Sequence, residues 1–195
     1  LKTKDDKYQI TVEHQNGQTE TYEVIDDVAK MKSELGIVYL NSFNEKALGK
    51  IFKSNNLKFT ELFTANPHIF VSTSNPLANK KSVKMKDLAP YPYLSYEQGE
   101  HNSFYYSEEI FSTEERLKNI RVTDRATLFN LLIGLNGYTV CSGVIDSSLN
   151  GENIVSIPLD KEGVMRVGIL THNDIIQSEM AQYYINSLSK YINVE

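Results

Sequence analysis

The chain has one cysteine, Cys141, in 195 residues. A single thiol excludes an internal disulfide and any zinc site built from several cysteines. A free cysteine of this kind is most often a small buried side chain. Four histidines, His14, His68, His101 and His172, are scattered along the chain. They make no HxH, HExxH or Cys-His spacing, so no metal site is expected. No apolar run approaches the ~20 residues of a membrane-spanning helix. No signal peptide is visible, and a cytoplasmic location is expected. Excess positive charge is also missing. The net charge of −5 offers no overall basic field to nucleic acid. There is no internal repeat and no low-complexity linker. The chain opens on LKTKDDKY without a methionine, as a piece of a longer protein would.

The composition is that of an ordinary globular protein. The length suffices for a real core, in one domain or two small ones. The most informative stretch is VTDRATLFNLLIGLNGYTVCSG, from Val122 to Gly143. It reads as the end of a strand, a capped helix, a tight stop and a second strand. Thr123 or Asp124 can cap the helix by accepting from first-turn N–H groups. Ala126, Phe129, Leu132 and Ile133 recur at helical spacing. Asn136-Gly137 ends the helix, with glycine in the left-handed region. Tyr138 to Cys141 suits a buried strand. Strand, helix and strand in so few residues imply a parallel crossover. Ligands of open parallel sheets bind beyond the carboxyl ends of strands and at helix N-termini. Thr123, Asp124, Ser142 and Gly143 stand at such ends.

The rest of the chain alternates strands and helices. Tyr8 to Glu13 reads as a half-buried strand and Asn16-Gly17 as a turn. Val24, Val28, Met31 and Leu35 form a helical stripe ended by Gly36. Ile37 to Leu40 is a short strand. Ser42 with Glu45 reads as a capping box for a helix to about Lys53, which makes an α/β unit with parallel pairing. Strands are expected at Phe59–Phe63, Ile69–Ser72, Tyr93–Tyr96, Ile154–Leu159 and Met165–Thr171. Val83–Leu88 offers a strand residue or two and a helical turn. Ser103 can cap a helix through Phe111, Asn150-Gly151 is a turn, and Asp174 with Gln177 begins a last helix. Ile176, Met180, Tyr184 and Leu188 share one of its faces. The adjacent pairs Glu108-Glu109 and Glu114-Glu115 read as solvated faces, because successive helical residues do not face each other. No nucleophile with a positioned base is found, so no catalysis is expected.

Several segments together resemble the effector-binding domain of LysR-type transcriptional regulators. They are SELGIVYLN (33–41), PHIFVSTSNPLANKKSVKMKDLAPYPYLSY (67–96), the 123–143 segment, IVSIPL (154–159) and VGILTHND (167–174). Asn75 stands where the family's HPLA loop has histidine. Ser142-Gly143 replaces the usual proline after the strand. The resemblance implies an α/β, two-lobed, type 2 periplasmic-binding-protein-like fold, in which two α/β subdomains are joined by two crossing strands. Subdomain I would comprise residues 1–65 and 166–195, with its first strand and helix missing or reduced, and subdomain II residues 66–165. The family's N-terminal helix-turn-helix is absent from this sequence, so this piece is not expected to bind DNA alone. A homodimer is implied, and a tetramer for the full-length protein.

On that fold, the loop SYEQGEHNS after a buried strand becomes the leading candidate for ligand contact. Ser95, Tyr96, Glu97, Gln98, Gly99, Asn102 and Ser103 offer donors, acceptors and close backbone approach. Asn41 and Ser42, with Thr123, Asp124, Ser142 and Gly143, converge on the same cleft. Facing helix N-termini favour an anion, and Glu97 and Glu100 add negative charge nearby. The expected ligand is therefore a small anionic or zwitterionic metabolite, with no cofactor. Phe104, Tyr105 and Tyr106 read as core residues. Two rival readings are a transport-type solute-binding protein of the same fold and an enzyme on the same two-lobed architecture.

Overall fold

The computed structural model describes residues 20–98, 103–107, 109–145 and 151–192. The elements expected at Tyr8–Glu13 and Asn16-Gly17 lie outside the described residues, as do Gly99, Glu100, His101, Asn102, Glu108 and Asn150. In chain order the elements are α1 (Thr21–Ala29), β1 (Gly36–Leu40), α2 (Glu45–Ser54), β2 (Leu57–Ala65), β3 (His68–Ser72) and α3 (Met85–Leu88). There follow β4 (Tyr93–Tyr96), β5 (Asn119–Val122), α4 (Arg125–Gly134), β6 (Tyr138–Cys141), β7 (Ile154–Pro158), β8 (Met165–His172) and α5 (Glu179–Ile192).

The strands form two sheets, a three-stranded one ordered β1-β8-β2 and a five-stranded one ordered β5-β4-β6-β3-β7. The chain passes from one sheet to the other after β2 and returns after β7. Parallel pairing in the first α/β unit needs a correction. β1 and β2 point the same way, but β8 lies between them and runs antiparallel to both. The central unit is a parallel crossover. β4 pairs in parallel with β5 on one side and β6 on the other, so α4 carries the chain across an intervening strand.

Burial follows the patterning. Ile25, Val28, Val38, Leu40, Leu48, Phe52, Leu57 and Leu170 form the core of the first sheet. The second sheet has a core on each face. Ile69, Val71, Tyr93, Val140 and Ile157 belong to one, and Phe70, Leu94, Val122, Leu128 and Leu132 to the other. Alternation along β4 explains the split, since Tyr93 and Leu94 must point to opposite faces.

Several element ends differ from the sequence reading. α1 closes when Met31 turns left-handed at φ 58°. Met31 therefore never joins the buried stripe, and Gly36 opens β1. The Ser42–Glu45 box does not form. Asn44 precedes α2, and its side chain instead accepts from the Asn41 N–H at 2.8 Å. The helix expected from Ser103 is a single 3-10 turn, Phe104–Tyr106. The last helix starts at Glu179, where the Ser178 hydroxyl accepts from the Ala181 N–H at 3.2 Å. Asp174 is engaged elsewhere, accepting from the Asn56 side chain at 2.8 Å. Ile176 thus lies before the helix, 95 % exposed. After α4 the left-handed residue is Asn136, at φ 55°. Gly137 serves close approach instead. A Cβ there would sit 2.3 Å from Leu94 Cδ1 and 2.9 Å from the Pro92 carbonyl. Among the described residues, no helix is long and apolar enough to cross a membrane.

Candidate functional site

A cavity of about 120 Å³ is lined by residues of both sheets. Tyr39 of β1 and Met165 of β8 come from the first. The second contributes Phe70, Tyr96, Thr139, Cys141 and Ser142, with Arg125 and Phe129 from α4 and Glu109 from the loop after the 3-10 turn. The walls mix apolar side chains with polar ones in nearly equal share, and such convergent polar groups fix a ligand's orientation. Arg125 is the first residue of α4, and its guanidinium lies 4.8 Å from the Phe129 ring centroid. Arg125 brings a cation to this wall, which suits an anionic group, while the first-turn N–H groups of Ala126 and Thr127 are taken by the Asp124 carboxyl. No described cluster of His, Cys, Asp or Glu could hold a metal ion.

Of the residues expected to contact a ligand, Tyr96 and Ser142 line this cavity. Asn41, Ser42, Ser95, Glu97, Gln98, Thr123, Asp124 and Gly143 do not, and each has a placement that explains why. Asn41 is buried, and its side-chain oxygen accepts from the Phe43 and Asn44 N–H groups at 2.9 and 3.1 Å. Ser42 and Glu97 are exposed. Ser95 shares the Tyr93 face of β4, opposite Tyr96. Asp124 caps α4, accepting from the Thr127 N–H at 2.8 Å. The Thr127 hydroxyl, and then its N–H, hold the Asp124 carboxyl below the usual carboxylate range. Thr123 is then exposed and makes no cap. Gly143 adopts φ +84°, and a Cβ there would meet the His68 ring at 2.6 Å. Gln98 is buried and reaches α1, where its side-chain oxygen accepts from the Thr21 N–H at 3.3 Å. Ser103 accepts weakly from the Tyr105 N–H at 3.4 Å.

Glu109 is the main correction. It is not on a solvated face but 3 % exposed. Its carboxylate accepts from the Tyr96 N–H at 2.8 Å and the Ser107 hydroxyl at 3.0 Å. Burial pushes its carboxyl above the usual range, and these hydrogen bonds pull the other way. Arg125 was also missed, although it adjoins Asp124; its place at the first helical position beside the expected cap was the available signal. Cys141 donates to the His68 carbonyl at 3.7 Å, and burial of the thiol pushes it up to about 12. Tyr105 is not core: it is exposed and stacks on Phe43, ring centroids 5.2 Å apart. Tyr106 meets Tyr22 of α1 edge-on at 5.6 Å.

The fold is similar to that of solved structures. HinK, a LysR family transcriptional regulator from Pseudomonas aeruginosa, matches with a TM-score of 0.60 at 13 % identity. The match covers 89 % of this chain and 58 % of that one, so this chain spans little more than half of HinK's length. The effector-binding domain of QuiR, solved with shikimate, matches with a TM-score of 0.59 at 17 % identity, covering 88 % of this chain and 78 % of that one. The oxidised form of OxyR matches with a TM-score of 0.54 at 18 % identity, covering 89 % and 76 %. Identities this low speak to the fold alone. No curated protein matches the sequence. Residues 9–191 match the model of the LysR substrate binding domain, and with nearly the whole chain covered, the protein belongs to that family, the effector-binding domains of LysR-type transcriptional regulators.

Proposed function

We propose that this chain senses a small anionic or zwitterionic metabolite in the cavity between its two sheets. The sheets then correspond to subdomain I, residues 1–65 with 166–195, and subdomain II, residues 66–165. Ligand binding shifts the arrangement of the two lobes or of neighbouring subunits. In the full-length cytoplasmic regulator, a homodimer or tetramer, that shift changes DNA binding by an N-terminal helix-turn-helix. The domain itself performs no catalysis and needs no cofactor. The observation that carries this reading is the cavity, which has Arg125 at the start of α4 and Tyr96 and Ser142 in its wall. The shikimate bound by QuiR supports a small polar acid as a starting point.

The test is a thermal-shift screen of small carboxylates, shikimate included. A ligand at a hundredfold excess over Kd adds about 2.7 kcal/mol to the folded state. At this chain length that raises Tm by several degrees. Arg125 is exposed, so Arg125→Gln should leave the unliganded Tm in place and remove the shift. A set of acids that all bind equally well to Arg125→Gln would place the effector elsewhere.

A further inference from the structure

We propose that Glu109 makes this cavity a zwitterion site, in which the effector's ammonium group sits against the Glu109 carboxylate and its acid end sits at Arg125. The inference rests on the effector reading above and names the class of ligand for the same cavity.

Glu109 lines the cavity while almost wholly removed from water. Its hydrogen-bond donors, the Tyr96 N–H, the Ser107 hydroxyl and its own backbone N–H, are neutral. A carboxylate has about four acceptor positions, so these three leave capacity for another donor. Holding the Tyr96 N–H at the end of β4 needs only an oxygen, and a glutamine would supply it without a charge. A charged group in a low-dielectric site is costly unless an opposite charge joins it. Desolvation is the largest influence on this side chain, and its neutral donors together with the more distant charge of Arg116 offset only part of it. An ammonium completes the compensation; a hydroxyl adds one more neutral bond. The same wall carries Phe70, Phe129 and Met165, which suit a carbon skeleton joining two polar ends. Glu97, an acidic residue of the expected ligand loop itself, is exposed and takes no part in the wall.

Isothermal titration calorimetry on the whole 195-residue chain tests this with matched probes. The set runs from propionate to hexanoate, each acid paired with its ω-hydroxy and ω-amino counterpart. At the chain length that fits, the ω-amino acid should bind roughly tenfold or more tighter than either partner, as a desolvated charge pair requires. Glu109→Gln, which keeps an oxygen for the Tyr96 N–H, should abolish that preference and leave alkanoate binding intact. Equal binding of the three probes by the natural protein overturns the inference, as does a preference that survives in Glu109→Gln. If that variant does not fold, the comparison on the natural protein decides alone. Acids that bind through Arg125 without favouring the amine sink this inference and leave the effector reading standing. Failure of every probe to bind, or binding indifferent to Arg125→Gln, removes both.

Discussion

The side-chain oxygen of Gln98 accepts a hydrogen bond from the backbone N–H of Thr21 at 3.3 Å, across 77 positions of sequence. Thr21 is the first residue of α1, and Glu20 before it supplies no side-chain cap. A residue following β4 of the five-stranded sheet therefore caps a helix packed on the other sheet. Phe43–Tyr105 and Tyr22–Tyr106 add two aromatic contacts between the same parts. Gln98→Ala should strand the Thr21 N–H and cost about 1 kcal/mol. Tm should fall by roughly 2–4 °C for a chain of this size. Hydrogen exchange at the Thr21 amide checks the cause, and unchanged protection there would mean the cap does not form in solution.

Asp124 gives a pH-dependent counterpart. Hydrogen bonds from the Thr127 hydroxyl and then from its N–H lower the folded-state pKa of the carboxyl below the ordinary 3.8. The group is the depressed-acid case, so its stabilisation is present above the ordinary value and disappears as pH falls through the lower folded one. Asp124→Asn should keep most of the cap at neutral pH and lose this acid-side dependence. Acid titrations of Tm for the two proteins would expose the difference. Parallel curves would assign the pH dependence to other carboxylates.

What was legible in the sequence was what local pattern decides. The apolar runs at Ile37–Leu40, Ile69–Ser72 and Tyr138–Cys141 became strands because each is short and buried. Asp124 became a cap because cap, helix and stop occupy consecutive residues. Glu109 was illegible because its burial depends on the Tyr96 N–H thirteen positions away, and nothing beside it marks a buried acid. The same holds for Asn41 and Gln98. Their residue types suited a ligand, but backbone donors claimed their side-chain oxygens, Phe43 for Asn41 and Thr21, 77 positions away, for Gln98. At β4, period-two alternation separates Tyr96 from Ser95, yet the pattern alone does not say which face meets the cavity.

Cys141 should be an unreactive thiol. With its pKa pushed up to about 12, the thiolate fraction at neutral pH is ~10⁻⁵. A thiol-labelling disulfide should modify the folded protein far more slowly than the urea-unfolded chain. The raised value also stabilises the fold below the ordinary thiol pKa of 9.0, a contribution lost as pH rises through the folded value. Labelling as fast in the folded as in the unfolded chain would contradict this and mark the thiol as a sensor candidate.

Two glycines near the end of α4 should respond in opposite directions. Gly134 is exposed and helical, with nothing within 4 Å of an added Cβ. Gly134→Ala should stabilise by about 0.4–1 kcal/mol by restricting the unfolded chain. Gly137 is buried against Leu94 and Pro92. Gly137→Ala should cost roughly 1–3 kcal/mol, because the start of β6 must move away from β4. Urea melts of both variants supply the numbers, and a neutral Gly137→Ala would show that Leu94 repacks freely.

The aromatic stack extends the prediction made for Gln98. Phe43 and Tyr105 are 49 % and 44 % exposed, yet their rings lie 17° from parallel. Such a pair contributes at most about 0.5–1.5 kcal/mol beyond its buried area. Tyr105→Ala should therefore destabilise less than a core truncation. If this stack and the Gln98–Thr21 bond act as one clasp between the lobes, removing either should weaken the other. The double variant Gln98→Ala/Tyr105→Ala should then lose less stability than the sum of the single losses, since contacts that share a hinge are coupled. The same variants test function, because a looser clasp leaves the cavity open for more of the time. An acid that binds in the cavity should then associate faster with Tyr105→Ala than with the natural protein, in stopped-flow experiments at equal concentrations. Strictly additive stabilities together with unchanged association rates would reduce the clasp to two independent surface contacts.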